Sequence, residues 1–346
     1  MSNLKRASII CSFLFGNITG LEGNTNLINC TKDVVMINTD NKNGFGIERL
    51  GRLKRVLLHR PEEAIKLINE DNREFFLFDK VPDADRYLEE HKRYQELLSS
   101  HGVEVVLLKN KITANIDLMN RLPNLAYMHD IAVVSSNGAI VSKMSSRGRC
   151  HEEIVIGEAL KNMGIPVLYE PPEGEDFEGC LLLSPTTVFI ADTERHKPRS
   201  IEKFIEYILD YFDEVIYARV PQERRYMHPD MVLNRIREDL LIYFPPAFLK
   251  TLYITKAVKE EINIKAFMKS RNIDMIEMSE DEQKKWGSSF VPLDSGIIIN
   301  YDISLKQKTI NILESEGVKF IHFHPDALLA GGGSLRCLTL RIWRNS

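Results

Sequence analysis

Cys337, His228, Glu178, Asp130 and Asp230 are a thiol, an imidazole and three carboxylates. A thiolate can attack a planar electrophilic carbon, an imidazole can carry protons, and carboxylates grip a cation through charge-assisted hydrogen bonds. Gathered in one pocket, the five would suit nucleophilic attack on a cationic planar carbon such as that of a guanidinium. Each also has a plainer reading. A cysteine in an apolar strand such as Cys337-Leu338-Thr339-Leu340 is ordinarily packing. His228, after Arg224-Arg225-Tyr226-Met227, reads as a loop histidine, Asp130 and Asp230 as turn caps, and Glu178 as one more solvated acid in Glu173-Gly174-Glu175-Asp176-Phe177-Glu178-Gly179. Placement along the chain decides between the two readings.

The elements that must position these residues repeat. Five times a charged, helix-periodic stretch runs through a short turn into an apolar strand: Asp85 to Leu108, Glu152 to Tyr169, Ser200 to Tyr217, Lys259 to Ile276 and Leu305 to Phe323. The turns carry Gly102, Gly164, Asp213, Asn272 and Gly317, the residue types that end helices in the left-handed conformation. Ahead of four of these helices lies a hairpin-like pair of apolar runs: Ile131 to Met144, Leu181 to Ala191, Met231 to Phe244 and Phe290 to Tyr301. Val34 to Leu58 is expected to supply the first. Each unit thus reads ββαβ, and the spacing of about 45 to 60 residues fits a ring of blades better than a solenoid. The expected fold is α/β, a five-bladed αβ-propeller, with Cys337 to Trp343 as the last strand closing the ring on the first unit. Asp130, Glu178 and the pair His228 and Asp230 lead into the hairpins of the second, third and fourth units. Cys337 follows the last unit across Gly331-Gly332-Gly333-Ser334, a run flexible enough to let a loop close over the site. Equivalent positions in a ring converge on one end of its axis, which favours one site over separate accidents.

Bulk properties narrow the class. The 346 residues, 44% hydrophobic and 27% charged, suit a globular chain with a sizeable core, and no linker or low-complexity tract divides it. A single catalytic domain spanning 1–346 is expected, with residues 1–30 as an N-terminal extension packed on the ring. The formal net charge of -4 supplies no basic field for nucleic acid. Five scattered cysteines without CxxC spacing argue against a disulfide framework or a zinc site and fit a reducing, cytoplasmic compartment. Lys5-Arg6 followed by Ala7 to Phe15 imitates a signal peptide, but Gly16-Asn17-Ile18-Thr19-Gly20 is a poor cleavage site, so a buried strand is expected there. No run reaches the roughly 18 apolar residues of a membrane span.

At its polar residues the sequence resembles the arginine deiminase family, within the guanidino-modifying (amidinotransferase) superfamily of pentein propellers. The likeness begins with Gly51-Arg52-Leu53-Lys54-Arg55-Val56-Leu57-Leu58-His59-Arg60-Pro61 and continues in Leu77-Phe78-Asp79 and Pro123-Asn124-Leu125. Asp130, Phe177-Glu178-Gly179, Met227-His228-Pro229-Asp230 and Gly332-Gly333-Ser334-Leu335-Arg336-Cys337 then follow in the family's order. The resemblance implies that Asp130 and Asp230 hold the guanidinium and Glu178 orients it. It further implies that Cys337 attacks to give an amidino-thioether, and that His228 protonates the departing amine and activates the next nucleophile. Arg149 and Arg195 fall near the family's binders of the substrate carboxylate, with Arg147 competing for the first position. No metal or organic cofactor is implied.

This chain departs from the family pattern in several places. His129 stands where members commonly have Arg, the usual Gly-Asp after Glu178-Gly179 is replaced by Cys180-Leu181, and the helical insertion of many bacterial members is missing. Guanidino hydrolysis of arginine or an arginine-like substrate is the favoured reading. Transfer of the amidino group to an acceptor amine, an arginine dihydrolase and a non-catalytic guanidino-binding protein stay open, as does a homo-oligomer.

Overall fold

The structure is a computed structural model that describes residues 44–345. The strand expected over Ala7 to Phe15, the extension over 1–30 and the first ten residues of Val34 to Leu58 therefore lie outside the described residues.

Five units follow one another. The first holds β1 (Leu53–Leu58), α1 (Ala84–Ser100) and β2 (Glu104–Leu107). After a short α2 (Ile116–Met119), the second holds β3 (Ala132–Ser135), β4 (Gly138–Val141), α3 (Glu152–Asn162) and β5 (Val167–Tyr169). The third is β6 (Leu181–Leu182), β7 (Thr187–Asp192), α4 (Pro198–Ile208) and β8 (Glu214–Arg219). The fourth begins with β9 (Leu233–Arg237) and β10 (Leu240–Tyr243). It inserts β11 (Lys250–Ile254) and β12 (Lys259–Glu261), then resumes with α5 (Ile264–Ser270) and β13 (Asp274–Glu277). Beyond α6 (Glu280–Lys284), the fifth is β14 (Val291–Asp294), β15 (Ile297–Tyr301), α7 (Gln307–Ser315) and β16 (Lys319–Phe323), and β17 (Leu340–Arg344) comes last. In each sheet two strands pair antiparallel, and the strand after the helix joins parallel, as in β14-β15-β16 and β3-β4-β5.

Local chemistry accounts for the boundaries. Asp83 caps α1 by accepting from the Arg86 amide at 3.1 Å, and Gly102 ends the turn at φ +76°. Asn263 accepts from the Ala266 amide to start α5, and Asn272 takes the left-handed φ of 60° that stops it. The helix expected from Lys259 therefore begins five residues later. Lys259–Glu261 instead pairs with β11, and these two strands widen the sheet of the third unit to the order β12-β11-β8-β7-β6.

As expected of the last strand, β17 pairs with the first unit: it is the antiparallel partner of β1, with Leu57 opposite Leu340 and Val56 opposite Arg341, in the place of the hairpin strand expected from Val34 to Leu58. β17 starts at Leu340, because Leu338 and Thr339 donate their amides back to Ser334 and Arg336 in a turn. The architecture is mixed α/β, and strand pairing stays within the five sheets without closing a barrel.

Apolar cores lie between units. Leu57, Leu340 and Ile342 pack with β3, β4 and α3, while Val133 and Ile140 on the opposite face meet Leu182, Val188 and α4. Phe189, Ile216, Leu241, Phe290 and Ile298 join the third, fourth and fifth units. Val56 and Leu58 join Val291, Leu293 and Tyr301, so the fifth unit also shares a core with the first. Among the described residues no helix is long and apolar enough to cross a membrane.

Candidate active site

Asp130 stands at the entrance to β3, and the adjacent His129 amide donates to the Cys337 carbonyl at 3.1 Å, which ties the second unit to the segment before β17. Glu178 lies between β5 and β6. His228 and Asp230 flank Pro229 at a 3-10 turn, Pro229–Met231, that feeds β9. Proline at the first position of that turn fixes φ without wasting a donor. Cys337 follows the 3-10 turn Ala327–Gly331.

The glycine run is buried and close-packed. A Cβ at Gly331 would lie 1.6 Å from the Tyr127 hydroxyl and one at Gly333 2.7 Å from its ring, while Gly332 adopts φ +68° beside Asp79. The glycines thus let the backbone pass over Tyr127, whose hydroxyl accepts from Tyr87 at 3.0 Å. The freely closing loop expected from composition is a packed cradle instead.

Three of the named side chains meet at His228. Its Nε2 lies 3.1 Å from Glu178 Oε2 and 3.2 Å from Asp130 Oδ2. Burial alone would depress the imidazole pKa, but the charges of Asp130, Glu178 and Asp230 outweigh it and raise it. Burial opposes the charge on Glu178 as well. The hydrogen bond and charge of His228, with Arg195 and Arg149, nevertheless hold its carboxyl down at about 2. The other Glu178 oxygen accepts from the Ser145 amide at 2.7 Å and hydroxyl at 2.8 Å.

Asp230 forms a second centre. Burial would raise its pKa, yet His129 and Arg336 hold it well below the carboxylate range. His129 Nε2 lies 3.1 Å from Oδ1, the Ser289 hydroxyl donates to Oδ2, and Arg336 Nε is 3.5 Å away. The Ser334 hydroxyl, 2.7 Å from that of Ser289, reaches Cys337 Sγ at 3.4 Å. Burial pushes the Cys337 thiol up to about 11, Asp230 and Asp130 push the same way, and Ser334 opposes them. The resting group is therefore a neutral thiol. Cys180 is buried with its thiol pushed up by burial alone, and Cys150 is half-buried.

A small cavity of ≈ 40 Å³ is lined by Asp130, Arg149, Arg195, His228 and Cys337 together with Tyr127, Met227 and the three glycines. That is space for a few water molecules. Glu178 and Asp230 are fully buried behind this wall. A larger recess of ≈ 390 Å³ between α6 and the start of α7, lined by Asp281, Lys284 and Lys306, holds no thiol or imidazole.

The two arginines differ. Arg149 places its fork on Asp130, with Nη2 to Oδ1 at 3.0 Å, and donates to the Tyr127 carbonyl and to Glu152, both at 2.9 Å. Burial pushes Glu152 up to about 8 against the pull of Arg149, while Arg149 and His228 hold Asp130 down. Arg195 is less engaged: Nε reaches Glu194 at 3.2 Å and Nη2 the Met227 sulfur at 3.7 Å. Arg147 is exposed. Asp130, Glu178 and His228 each offer a ligand atom within 4.8 Å of the others, enough for a metal, but Arg149 and the His228 contacts already use those atoms as an acid-base and charge network.

Ser145, Ser289, Ser334 and Glu152 escaped the sequence reading, since lone serines and a helix-start glutamate carry no signal of their own. His129 did carry one, as the departure beside Asp130, but its partner Asp230 belongs to another unit.

Comparison with known proteins converges on one family. A family model described as arginine deiminase matches residues 114–344. The arginine deiminase of Mycoplasma capricolum subsp. capricolum is 24% identical over 387 residues, covering 85% of this chain and 96% of that protein. The uncharacterized protein YkgA of Bacillus subtilis is 26% identical over 299 residues, covering 85% and 93%. Among solved structures, the N-terminal domain of ArgZ, a cyanobacterial arginine dihydrolase bound to product, has a TM-score of 0.63 at 19% identity over 83% of this chain and 96% of that one. Dimethylarginine dimethylaminohydrolase gives 0.62 at 14% identity over 84% and 99%. Unliganded AgrE gives 0.64 at 19% identity over 83% of this chain, which spans only 39% of the AgrE chain. The likeness to these solved structures is one of fold. With its matched segment running from ahead of α2 into β17 and carrying all five of the clustered polar residues, the chain belongs to the arginine deiminase family.

Proposed function

We propose that the protein hydrolyses the guanidino group of arginine or an arginine-like substrate through a covalent intermediate on Cys337. The observation that carries this reading is His228 held between Glu178 and Asp130 at 3.1 and 3.2 Å, in a cavity whose wall includes the Cys337 thiol. The five units are read as blades around one axis, a reading supported by the core that the fifth shares with the first. The described units and Cys337 act as one catalytic domain, in a reducing cytoplasmic setting that suits a free thiol.

A guanidinium entering between Asp130, Asp230 and Cys337 brings the positive charge that the buried thiol lacks, so the thiol gives its proton to water and the thiolate forms. Sγ bonds to the guanidinium carbon, the C–N bond breaks, and His228 gives its proton to the departing ammonia. Neutral His228 then takes a proton from water, oxygen adds to the carbon, and the C–S bond breaks to release a ureido product. Glu178, anchored by Ser145, fixes the imidazole through both halves. Arg195, with the less occupied fork, faces the substrate carboxylate, and Arg149 joins it by yielding part of its hold on Asp130. The substrate must also widen a cavity that now holds only water-sized groups.

The amine-transfer, dihydrolase and binding-only alternatives share the cradle, so product identity separates them. Mass spectrometry of products formed from arginine and other guanidino compounds in isotopically labelled water should place the label in a ureido oxygen. Product that forms only with an added amine, and without label, refutes hydrolysis in favour of transfer. An unlabelled amine product formed without any added amine, with the label in carbon dioxide, indicates a second hydrolysis.

A further inference from the structure

Behind Asp230 the interior holds more positive charge than ion pairs among the described residues neutralise. Arg235, Arg336, Arg341 and Arg344 are all buried, at 1 to 8% exposure. Three of them grip backbone carbonyls, which accept hydrogen bonds without cancelling charge: Arg235 on Glu48 at 2.9 Å, Arg344 on Gly51 at 2.9 Å, and Arg336 on Phe290 at 3.4 Å. Among the described residues, the one carboxylate within ion-pair distance of any of the four is Asp230, 3.5 Å from Arg336 and already shared with His129.

The Arg341 side chain has no hydrogen bond or ion pair to the described residues, and its Nε is fully buried without a partner. Its neighbours in β17, Leu340 and Ile342, turn into the core with β3 and β4, so strand alternation sends Arg341 the other way. There it lines a cavity of ≈ 10 Å³ with Arg235, Arg336 and Asn234, closed by Leu181 and Pro292. Burial depresses all four guanidinium pKas, and repulsion from neighbouring arginines adds to this for Arg235, Arg341 and Arg344, while Asp230 opposes it for Arg336. A buried ionised group without a partner is costly, and protein interiors normally supply one.

We propose that this cavity binds a small monovalent anion of the halide type, held by Arg341 together with Arg235 and Arg336. The space matches a single water-sized sphere. A sulfate or phosphate is too large for it and, being multiply charged, harder to strip of water. The site shares no lining residue with the cavity at Cys337 and does not depend on which guanidino compound is turned over.

The test compares thermal unfolding in sodium bromide or chloride with sodium gluconate at fixed ionic strength. The wild type should show a saturable rise of its midpoint in halide, and Arg341→Gln should show none, while remaining at least as stable in gluconate. Crystals grown in bromide should give an anomalous peak within hydrogen-bonding distance of the Arg341 guanidinium, a readout that stands even if the variant fails to fold. Wild-type midpoints indifferent to halide, an unchanged halide response in Arg341→Gln, or no bromide at Arg341 would each overturn the assignment.

Discussion

The rate at which Cys337 is alkylated, followed against pH, probes the electrostatics of the site most directly. Its thiol is pushed up from 9.0 to about 11, by burial first and then by Asp230 and Asp130. A rise of about two units leaves roughly a hundredfold less thiolate at neutral pH. The more basic thiolate is the better nucleophile, with a Brønsted slope of about 0.4–0.5, which recovers nearly tenfold. A neutral reagent such as iodoacetamide should therefore react about 10- to 15-fold more slowly than with an unshifted thiol, before any penalty for access. Its rate should climb about tenfold per pH unit from neutrality to roughly pH 10 without levelling. A cationic reagent such as 2-chloroacetamidine brings charge that offsets the two aspartates, so its profile should be displaced to lower pH. Asp230→Asn should displace the neutral reagent's profile in the same direction. Intact-protein mass spectrometry with peptide mapping would follow labelling at Cys337. A plateau below pH 9 with iodoacetamide, or superimposable profiles for the two reagents, refutes the reasoning.

Cys337→Ala should abolish turnover while keeping the unfolding midpoint close to wild type, and Cys180→Ala should retain most activity; steady-state turnover by the first variant would exclude the covalent step. Asp130→Asn and Asp230→Asn should each impair turnover severely in folded protein, because an amide cannot replace charge-assisted pairing with a guanidinium; near wild-type kcat/KM in either would remove that residue from the grip. Glu178, with its carboxyl held down at about 2, contributes stability that is present above about pH 4.5 and lost as pH falls toward 2, on the order of 3 kcal/mol. Urea unfolding between pH 3 and 7 should show this acid limb, flattened in Glu178→Gln, and an equal slope in both proteins would contradict it.

The elements were legible where a local cause sets them. Gly102 and Asn272 ended their helices as their types required, and the apolar runs around Asn137-Gly138 formed the expected hairpin. Reading failed where the partner is distant. Lys259 to Glu261 carries the charges of a helix start, yet β11 offers it an open edge and the ladder wins. The last strand does pair with the first unit as the repeat implied, but nothing near Leu53 announces that it takes the place of the hairpin strand expected from Val34 to Leu58. In the site, the residue types suggested the chemistry but not the pairings. That Arg149 rests on Asp130, and that His129 and Ser289 hold Asp230, depends on contacts between separate units.

The pairing of β17 with β1 also bears on how the enzyme is made. Cys337 sits just ahead of the strand that leaves the ribosome last among the described elements, while its antiparallel partner leaves first. At about 5–20 residues per second, β1 waits roughly 15 to 60 s for β17, with one edge unpaired. Asp130, Glu178, His228 and Asp230 are all synthesised within that interval. A nascent chain therefore exposes its acids and imidazole without a nucleophile, and the thiol arrives with the same strand that seals the waiting edge. Reactivity is withheld until that strand has been made, and the exposed edge of β1 is where a stalled chain would meet another.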